Sequence, residues 1–140
     1  MPDDTLRRVR RWILFVLVAG LTGSGAELLL IEHYEEAWQM IPLVLVAVSL
    51  GVIGWHLAGG SKASVRVLQG MMMLCVAAGA LGVALHFQGA ADFQLEMDPT
   101  ISRSTLVQKV MRVKAPPVLA PGVMVQLGLL GLVYAHRWSR

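Results

Sequence analysis

Four residues near the ends of two apolar segments have the chemistry to bind a cation: Glu27, Glu32, His33 and His86. A carboxyl group such as that of Glu27 is costly to place inside an apolar run, so it marks a functional site by default. Carboxylate together with imidazole suits zinc, copper, iron or manganese. We therefore predict that these four residues form a divalent transition-metal site. We expect four further polar residues around it: Glu35, Glu36, Glu96 and Gln126. The alternative is a protonated, hydrogen-bonded Glu27 among solvated acids.

The composition is that of a membrane protein. The chain has 140 residues, of which 56% are hydrophobic and 15% are charged, with a mean hydropathy of +0.62. Soluble domains carry about 25% charged residues. At this length we expect one integral membrane domain, residues 1–140. Because Cys75 is the one cysteine, the chain forms no intrachain disulfide or CxxC pair, which excludes disulfide–quinone oxidoreductases.

Four apolar segments are candidates to cross the bilayer, since about 20 apolar residues span a hydrocarbon core of about 30 Å. We predict an all-α membrane protein, a four-transmembrane-helix bundle, with spans at 12–31, 39–56, 65–87 and 118–135. An outer loop at 88–117 joins the last two spans.

The outer loop carries the pattern of a short amphipathic helix at about 99–114. Asp98 has the character of its N-cap, and Pro99 suits its first position. We expect this helix to lie on the outer membrane surface or to cover the acidic and histidine side chains as a lid.

Basic residues are concentrated on one side of the predicted membrane. Eight lie in the two termini and the loop between the second and third spans, against two acids: Arg7, Arg8, Arg10, Arg11, Lys62, Arg66, Arg137 and Arg140. The other side has four basic residues and seven acids. The positive-inside rule therefore predicts both termini in the cytoplasm, in a multi-pass protein of a bacterial inner membrane. The first apolar run is too long for a cleaved signal peptide, so we expect it to be retained. Anionic lipid headgroups account for the net charge of +3, and no pattern indicates nucleic-acid binding.

Small residues at helical spacing predict which faces of the helices meet. Gly20, Gly23 and Glu27 fall on one stripe of the first span. A second stripe, on the third span, ends in a histidine: Cys75, Ala78, Gly79, Gly82 and His86. Small residues let membrane helices approach closely. We therefore expect both stripes to face the interior, where Gln126 would hydrogen-bond Glu27.

The other two histidines, His56 and His136, lie near the cytoplasmic ends of their spans. We interpret them as interfacial anchors beside tryptophan and tyrosine. Haem ligation by this pair is not expected, because both lie close to the water boundary. The consecutive residues Met71–Met73 point in different directions, so we expect them to fill space in the core rather than to pass copper along the helix.

Three functions remain open, and none is enzymatic, because no hydrolase, kinase or P-loop pattern is present. The favoured function is an accessory or scaffold component that packs in the bilayer with itself or in a larger membrane complex. The second is metal-cation binding or ion handling by the predicted cluster. The third is proton-coupled transport of a small molecule by Glu27. Four helices with a glutamate in the first are similar to small multidrug-resistance transporters. That resemblance covers topology alone, since this chain differs in its long outer loop and charge bias.

Overall fold

The computed structural model describes residues 2–112 and 119–136, and most of these residues are helical, with no strand among them. Five α-helices follow one another along the chain: α1 Pro2–Leu30, α2 Met40–Gly59, α3 Lys62–Met97, α4 Arg103–Met111 and α5 Leu119–Ala135. A single 3₁₀ turn, Ala37–Gln39, precedes α2. Some predicted features lie outside the described residues. They are the end of the predicted amphipathic helix (113–114), the first residue of the fourth predicted span (118), and the basic residues Lys114, Arg137 and Arg140.

Three of the helices are long and apolar enough to cross a membrane: Asp4–Leu30, Ala37–Gly59, which includes the 3₁₀ turn, and Lys62–Met97. The fourth apolar helix, α5, is shorter, with 17 described residues. Length and composition therefore make this an all-helical protein with three candidate membrane spans. A fourth crossing and the orientation stay predictions.

Two helices extend well beyond their predicted spans. The first begins at Pro2 instead of residue 12, because proline is tolerated in a first helical turn and nothing in the basic segment stops the helix. The third continues to Met97, so residues 88–97 of the predicted outer loop are helical. A helix ends where its backbone is interrupted, whereas the prediction ended it where the apolar residues stop. Here the interruption is Pro99, which disfavours helical geometry at Asp98.

The caps around α4 also differ from the prediction. Asp98 ends α3 in an extended conformation, with φ −146° and ψ 92°, so it is not the N-cap of the next helix. That cap is Ser102, whose Oγ accepts a hydrogen bond of 3.3 Å from the Thr105 amide. A helix is thus present in the central part of the range 99–114, and its place on a membrane surface stays a prediction. It packs against the end of α3, where Ala91 and Val110 are buried.

The four apolar helices pack antiparallel to their neighbours. Both α1 and α3 contact α2 and α5, so the helices follow one another in a closed order, α1–α2–α3–α5–α1. The closest approach is between α3 and α5. A Cβ at Gly79 would stand 2.7 Å from the Pro121 carbonyl oxygen, and one at Gly128 would stand 2.7 Å from that of Met72. Side chains larger than hydrogen do not fit at either position, which is how small residues let helices pack backbone to backbone. The inward position predicted for Gly79 is confirmed.

Two ends of this helical assembly matter for the polar side chains. We call the end that holds the start of α1 and the last residue of α5 the terminal end. The opposite end, where α1 passes into α2, is the loop end. Between them lies the apolar core, which includes Leu17, Leu21, Val46, Ile53, Leu68, Met72 and Leu127.

Candidate functional site

Glu27 lies near the end of α1, and its side chain is exposed. The inward side of α1 is marked by Leu17 and Leu21, which are fully buried, and by Gly20, which lies against a leucine of α5. Gly23 is exposed, and a Cβ there would meet nothing within 4 Å. The expectation that this stripe faces the interior is therefore right for Gly20 and wrong for Gly23 and Glu27. The stripe lies at the edge of the face that α1 turns towards α5, and Gly20 is its point of contact with α5.

The chain leaves α1 through a Schellman motif that places His33. The Glu32 amide donates to the Leu29 carbonyl oxygen at 3.2 Å, and the His33 amide donates to that of Leu28 at 2.9 Å. Glu32 takes the left-handed position of the motif, with φ 55°, where glycine is the usual residue. The motif turns the chain sharply, so the His33 side chain is directed towards α3.

His33 and His86 lie side by side at the loop end. Their ring centres are 6.2 Å apart, and the ring planes are inclined by 29°. The His33 side chain is half-buried, whereas that of His86 is exposed. Sequence reasoning placed both residues at one site, and the structure brings these two together.

The acidic residues predicted around the histidines do not converge on them. Within residues 2–112 and 119–136, no three His, Cys, Asp or Glu side chains are grouped closely enough to hold a metal ion. Glu35 and Glu96 are exposed. Glu36 is used locally, since its carboxylate accepts from the Trp38 indole and its amide donates to Gln39 Oε1 at 3.2 Å. Of the four predicted metal ligands, the structure brings His33 and His86 together.

Gln126 does not support Glu27 as expected. Its side chain is exposed on α5, and the described hydrogen bonds include none between the two side chains. The register explains this, because Gly20 meets Leu127 where the antiparallel helices touch. Gln126 is therefore level with Leu21 of α1, and Glu27 lies about 9 Å further along the axis at 1.5 Å per residue.

The most deeply buried polar network lies at the terminal end, where the sequence indicated anchoring. His56 is 2% exposed and Ser64 is fully buried. The Ser64 hydroxyl donates to the Ser61 carbonyl oxygen at 2.8 Å, and its oxygen lies 2.9 Å from His56 Nδ1. Because the hydroxyl has one hydrogen, we assign His56 Nδ1–H as the donor to Ser64. The Tyr134 ring meets the His56 ring edge to face, with centres 6.0 Å apart.

The same end holds two side chains that cap α5. Gln69 Nε2 of α3 donates to the Ala135 carbonyl oxygen at 3.0 Å, and Arg10 Nη2 of α1 donates to that of His136 at 3.1 Å. The last carbonyls of a helix lack partners within it, and a cation there also suits the helix dipole. Together with the His56–Ser64 bond, these contacts join all four apolar helices. The sequence signal that could have found them is polar residues at matching depth on neighbouring spans.

One further polar contact crosses the core. Ser49 Oγ of α2 and Cys75 Sγ of α3 are 3.5 Å apart, and both residues are fully buried. A buried thiol with a hydroxyl partner and no neighbouring base or cation is a packing contact, since nucleophilic cysteine needs an activating group. The inward position predicted for Cys75 is confirmed.

No protein-family model matches the chain, and no curated protein and no solved structure matches it. The fold and its polar contacts define the class: an all-helical protein with three helices suited to crossing a membrane. In the part of the chain that the structure describes, the buried polar side chains connect helices to one another. Among the exposed polar side chains, Glu27 lies within an apolar helix, and His33 and His86 come together at the loop end.

Proposed function

We propose that the protein is a non-enzymatic accessory component of a larger membrane assembly, which it joins through an exposed stripe of α1. The stripe consists of Val16, Gly23, Glu27 and Leu30, all exposed and spaced at intervals of seven, four and three residues. This is the spacing at which one helix presents a continuous seam to another. The position of Glu27 in that seam is the observation that carries the proposal.

Gly23 supports lateral docking at this seam through its position beside Glu27. Gly79 and Gly128 are needed inside the protein, because neighbouring backbone fills the space beside them. Gly23 has no such neighbour, and the same is true of Gly54, so an open glycine alone does not mark a docking surface. Gly23 differs from Gly54 because Glu27 lies one turn further along the same face, where a small residue lets a partner helix approach closely.

Glu27 indicates the chemistry of the partner. A carboxyl group on a lipid-facing surface costs about 2.5–3.5 kcal/mol at the centre of a span, and less towards its end. A hydrogen-bond donor or a basic side chain on a partner helix would remove much of that cost. We therefore expect the partner to be a membrane helix that presents an amide, hydroxyl or basic group at the depth of Glu27.

The proposal includes four crossings of a bacterial inner membrane with both termini in the cytoplasm. In support, the described part of α5 alone is about 26 Å long at 1.5 Å per residue, close to the hydrocarbon thickness of about 30 Å. The excess of basic residues on the side of the termini supports the orientation. Thiol labelling of intact cells tests it: in a Cys75→Ala background, Ser104→Cys should react with an impermeant maleimide, and Thr5→Cys only after permeabilisation. The reverse pattern would show the opposite orientation.

A proton-coupled transporter that uses Glu27 is the alternative function. Its carboxyl group would have to line the transport pathway. The exposed position of Glu27 on the flank of α1 favours contact with another protein instead. The alternative predicts a pH-dependent flux that Glu27→Gln abolishes.

Cysteine cross-linking in native membranes tests the docking seam. In the Cys75→Ala background, Gly23→Cys is compared with Gly54→Cys, a glycine of α2 that is equally exposed and open. We expect Gly23→Cys to cross-link to one defined membrane protein, and Gly54→Cys not to. Glu27→Leu should reduce the product severalfold, whereas Glu27→Gln, which keeps a hydrogen-bonding group, should retain most of it. Two differently tagged copies distinguish a second copy of this chain from another protein. Equal cross-linking at both glycines, insensitive to Glu27→Leu, would refute the proposal.

A further inference from the structure

We propose that His33 and His86 form a two-histidine binding site for a late divalent transition metal, with Cu²⁺ as its tightest ligand. The two residues come from different elements, the turn after α1 and the helix α3. Their approach therefore depends on the fold, not on adjacency in the chain. The site is independent of the docking seam on α1.

The distance between the rings suits a shared ion. A metal–nitrogen bond of about 2.1 Å, with about 1.1 Å from the nitrogen to the ring centre, puts each ring centre about 3.2 Å from the metal. Two rings on one ion therefore have centres at most about 6.4 Å apart, and closer when the ligands are bent. The observed 6.2 Å is within this limit.

Binding requires the rings to turn until one nitrogen of each faces the same ion. The ring planes are now inclined by 29°. Rotation about the last side-chain torsion of histidine has a broad, shallow energy profile. The exposed His86 has the freedom to turn, while the Schellman motif fixes the backbone of the half-buried His33.

The ligand set selects the metal. Imidazole suits copper, zinc and nickel, and affinity for the same nitrogen ligands follows the order Ni²⁺ < Cu²⁺ > Zn²⁺. Since no third His, Cys, Asp or Glu among the described residues joins the pair, water completes the coordination. Such a site binds reversibly, unlike a structural zinc site with four protein ligands.

Electron paramagnetic resonance of the purified full-length protein in detergent, titrated with Cu²⁺ alone, tests the site. We expect one bound Cu²⁺ with nitrogen hyperfine splitting from two imidazoles. His33→Gln and His86→Gln should each lower the Cu²⁺ affinity at least tenfold and remove the two-nitrogen pattern. The matched control is His136→Gln, which alters an exposed histidine at the terminal end and should change neither. Zn²⁺ should compete, with lower affinity.

Three results would overturn the site: no bound Cu²⁺, an affinity that depends on one of the two histidines alone, or an equal loss in His136→Gln. Neither His33 nor His86 belongs to the buried core, so both variants should keep the helical circular dichroism of the parent. A variant that loses that signal is replaced by its asparagine counterpart. Cross-linking at Gly23 is unaffected by these changes, so the two proposals succeed or fail separately.

Discussion

Gly128 of α5 lies directly on the backbone of α3 at Met72. A Cβ on Gly128 would stand 2.7 Å from the Met72 carbonyl oxygen and 2.9 Å from the Val76 amide nitrogen. Gly79 of α3 makes the reciprocal approach to α5 two turns further along. The pair of contacts fixes both the spacing and the register of the two helices, because backbone atoms cannot move aside as a side chain can.

Gly128→Ala should therefore destabilise the protein. The added methyl group has to push two backbones apart, and overpacking of this kind costs about 1–3 kcal/mol. The control is Gly122→Ala in the same helix, where a Cβ would meet nothing within 4 Å. Unfolding in detergent, followed by circular dichroism against added denaturing detergent, should show a lower midpoint for the first variant alone. Equal midpoints would contradict the described packing.

The bond between His56 and Ser64 should also contribute to stability. Ser64→Ala removes the acceptor of His56 Nδ1–H and the donor to the Ser61 carbonyl oxygen. Loss of a partner for a buried polar group costs about 1–3 kcal/mol. Ser104→Ala, in which the lost hydroxyl is exposed on α4, should change the free energy of unfolding by less than about 0.5 kcal/mol.

A double-mutant cycle with His56→Phe separates the pair from its surroundings. If the hydrogen bond matters, the effects of the two substitutions are not additive, and Ser64→Ala costs less in the His56→Phe background. Additive effects would indicate that Ser64 acts through the N-terminus of α3 instead of through His56.

The Schellman motif after α1 offers a stabilising substitution. Glu32 has φ 55°, a conformation that costs a residue with a Cβ about 1 kcal/mol relative to glycine. Glu32→Gly should raise the free energy of unfolding by up to about 1 kcal/mol, less the entropy that glycine adds to the unfolded chain. The control is Glu35→Gly, since Glu35 has no such conformation to relieve and should become no more stable. A lower midpoint for Glu32→Gly than for Glu35→Gly would mean that the Glu32 carboxylate makes a stabilising contact.

The sequence was informative where one physical property decides the outcome. Apolar length located the three long helices, and small residues at helical spacing identified Gly79 as a close-packing position. Composition could not place the end of α3, because the helix continues through Asp92 and Glu96 until Pro99 interrupts the backbone. Polarity limits a membrane span but does not limit a helix.

The candidate site was predictable in part for a related reason. In a membrane protein, the lipid-facing and helix-facing sides of a span are both apolar, so spacing finds a stripe without telling which side it faces. Glu27 was placed inside for that reason and lies outside. His56 was interpreted as an interfacial anchor. The sequence did not reveal its burial, because the ring of Tyr134 that packs against it is distant in sequence. The approach of His33 to His86 was predicted because both residues lie at the predicted outer ends of their spans.

The turn between α3 and α4 should respond to acid through Asp98. Its carboxylate accepts from the Thr100 hydroxyl at 2.7 Å and from the Thr100 amide at 3.0 Å. These bonds, the hydroxyl first and then the amide, with a smaller attraction from Lys109, hold the pKa of Asp98 below its ordinary value. Because the folded pKa is lowered, the stabilisation is fully present above the ordinary pKa of aspartate. It is lost as the pH falls through the lowered pKa.

Carboxyl-carbon NMR titration of Asp98 in detergent micelles measures this shift. Thr100→Val removes the larger hydrogen bond, so the pKa of Asp98 should rise towards its ordinary value. Lys109→Gln removes the smallest of the favourable contributions and should raise the pKa by less. The order of the two variants is the decisive result. A larger rise in Lys109→Gln would mean that α4 holds the turn by charge, in which case the effect would also weaken with added salt.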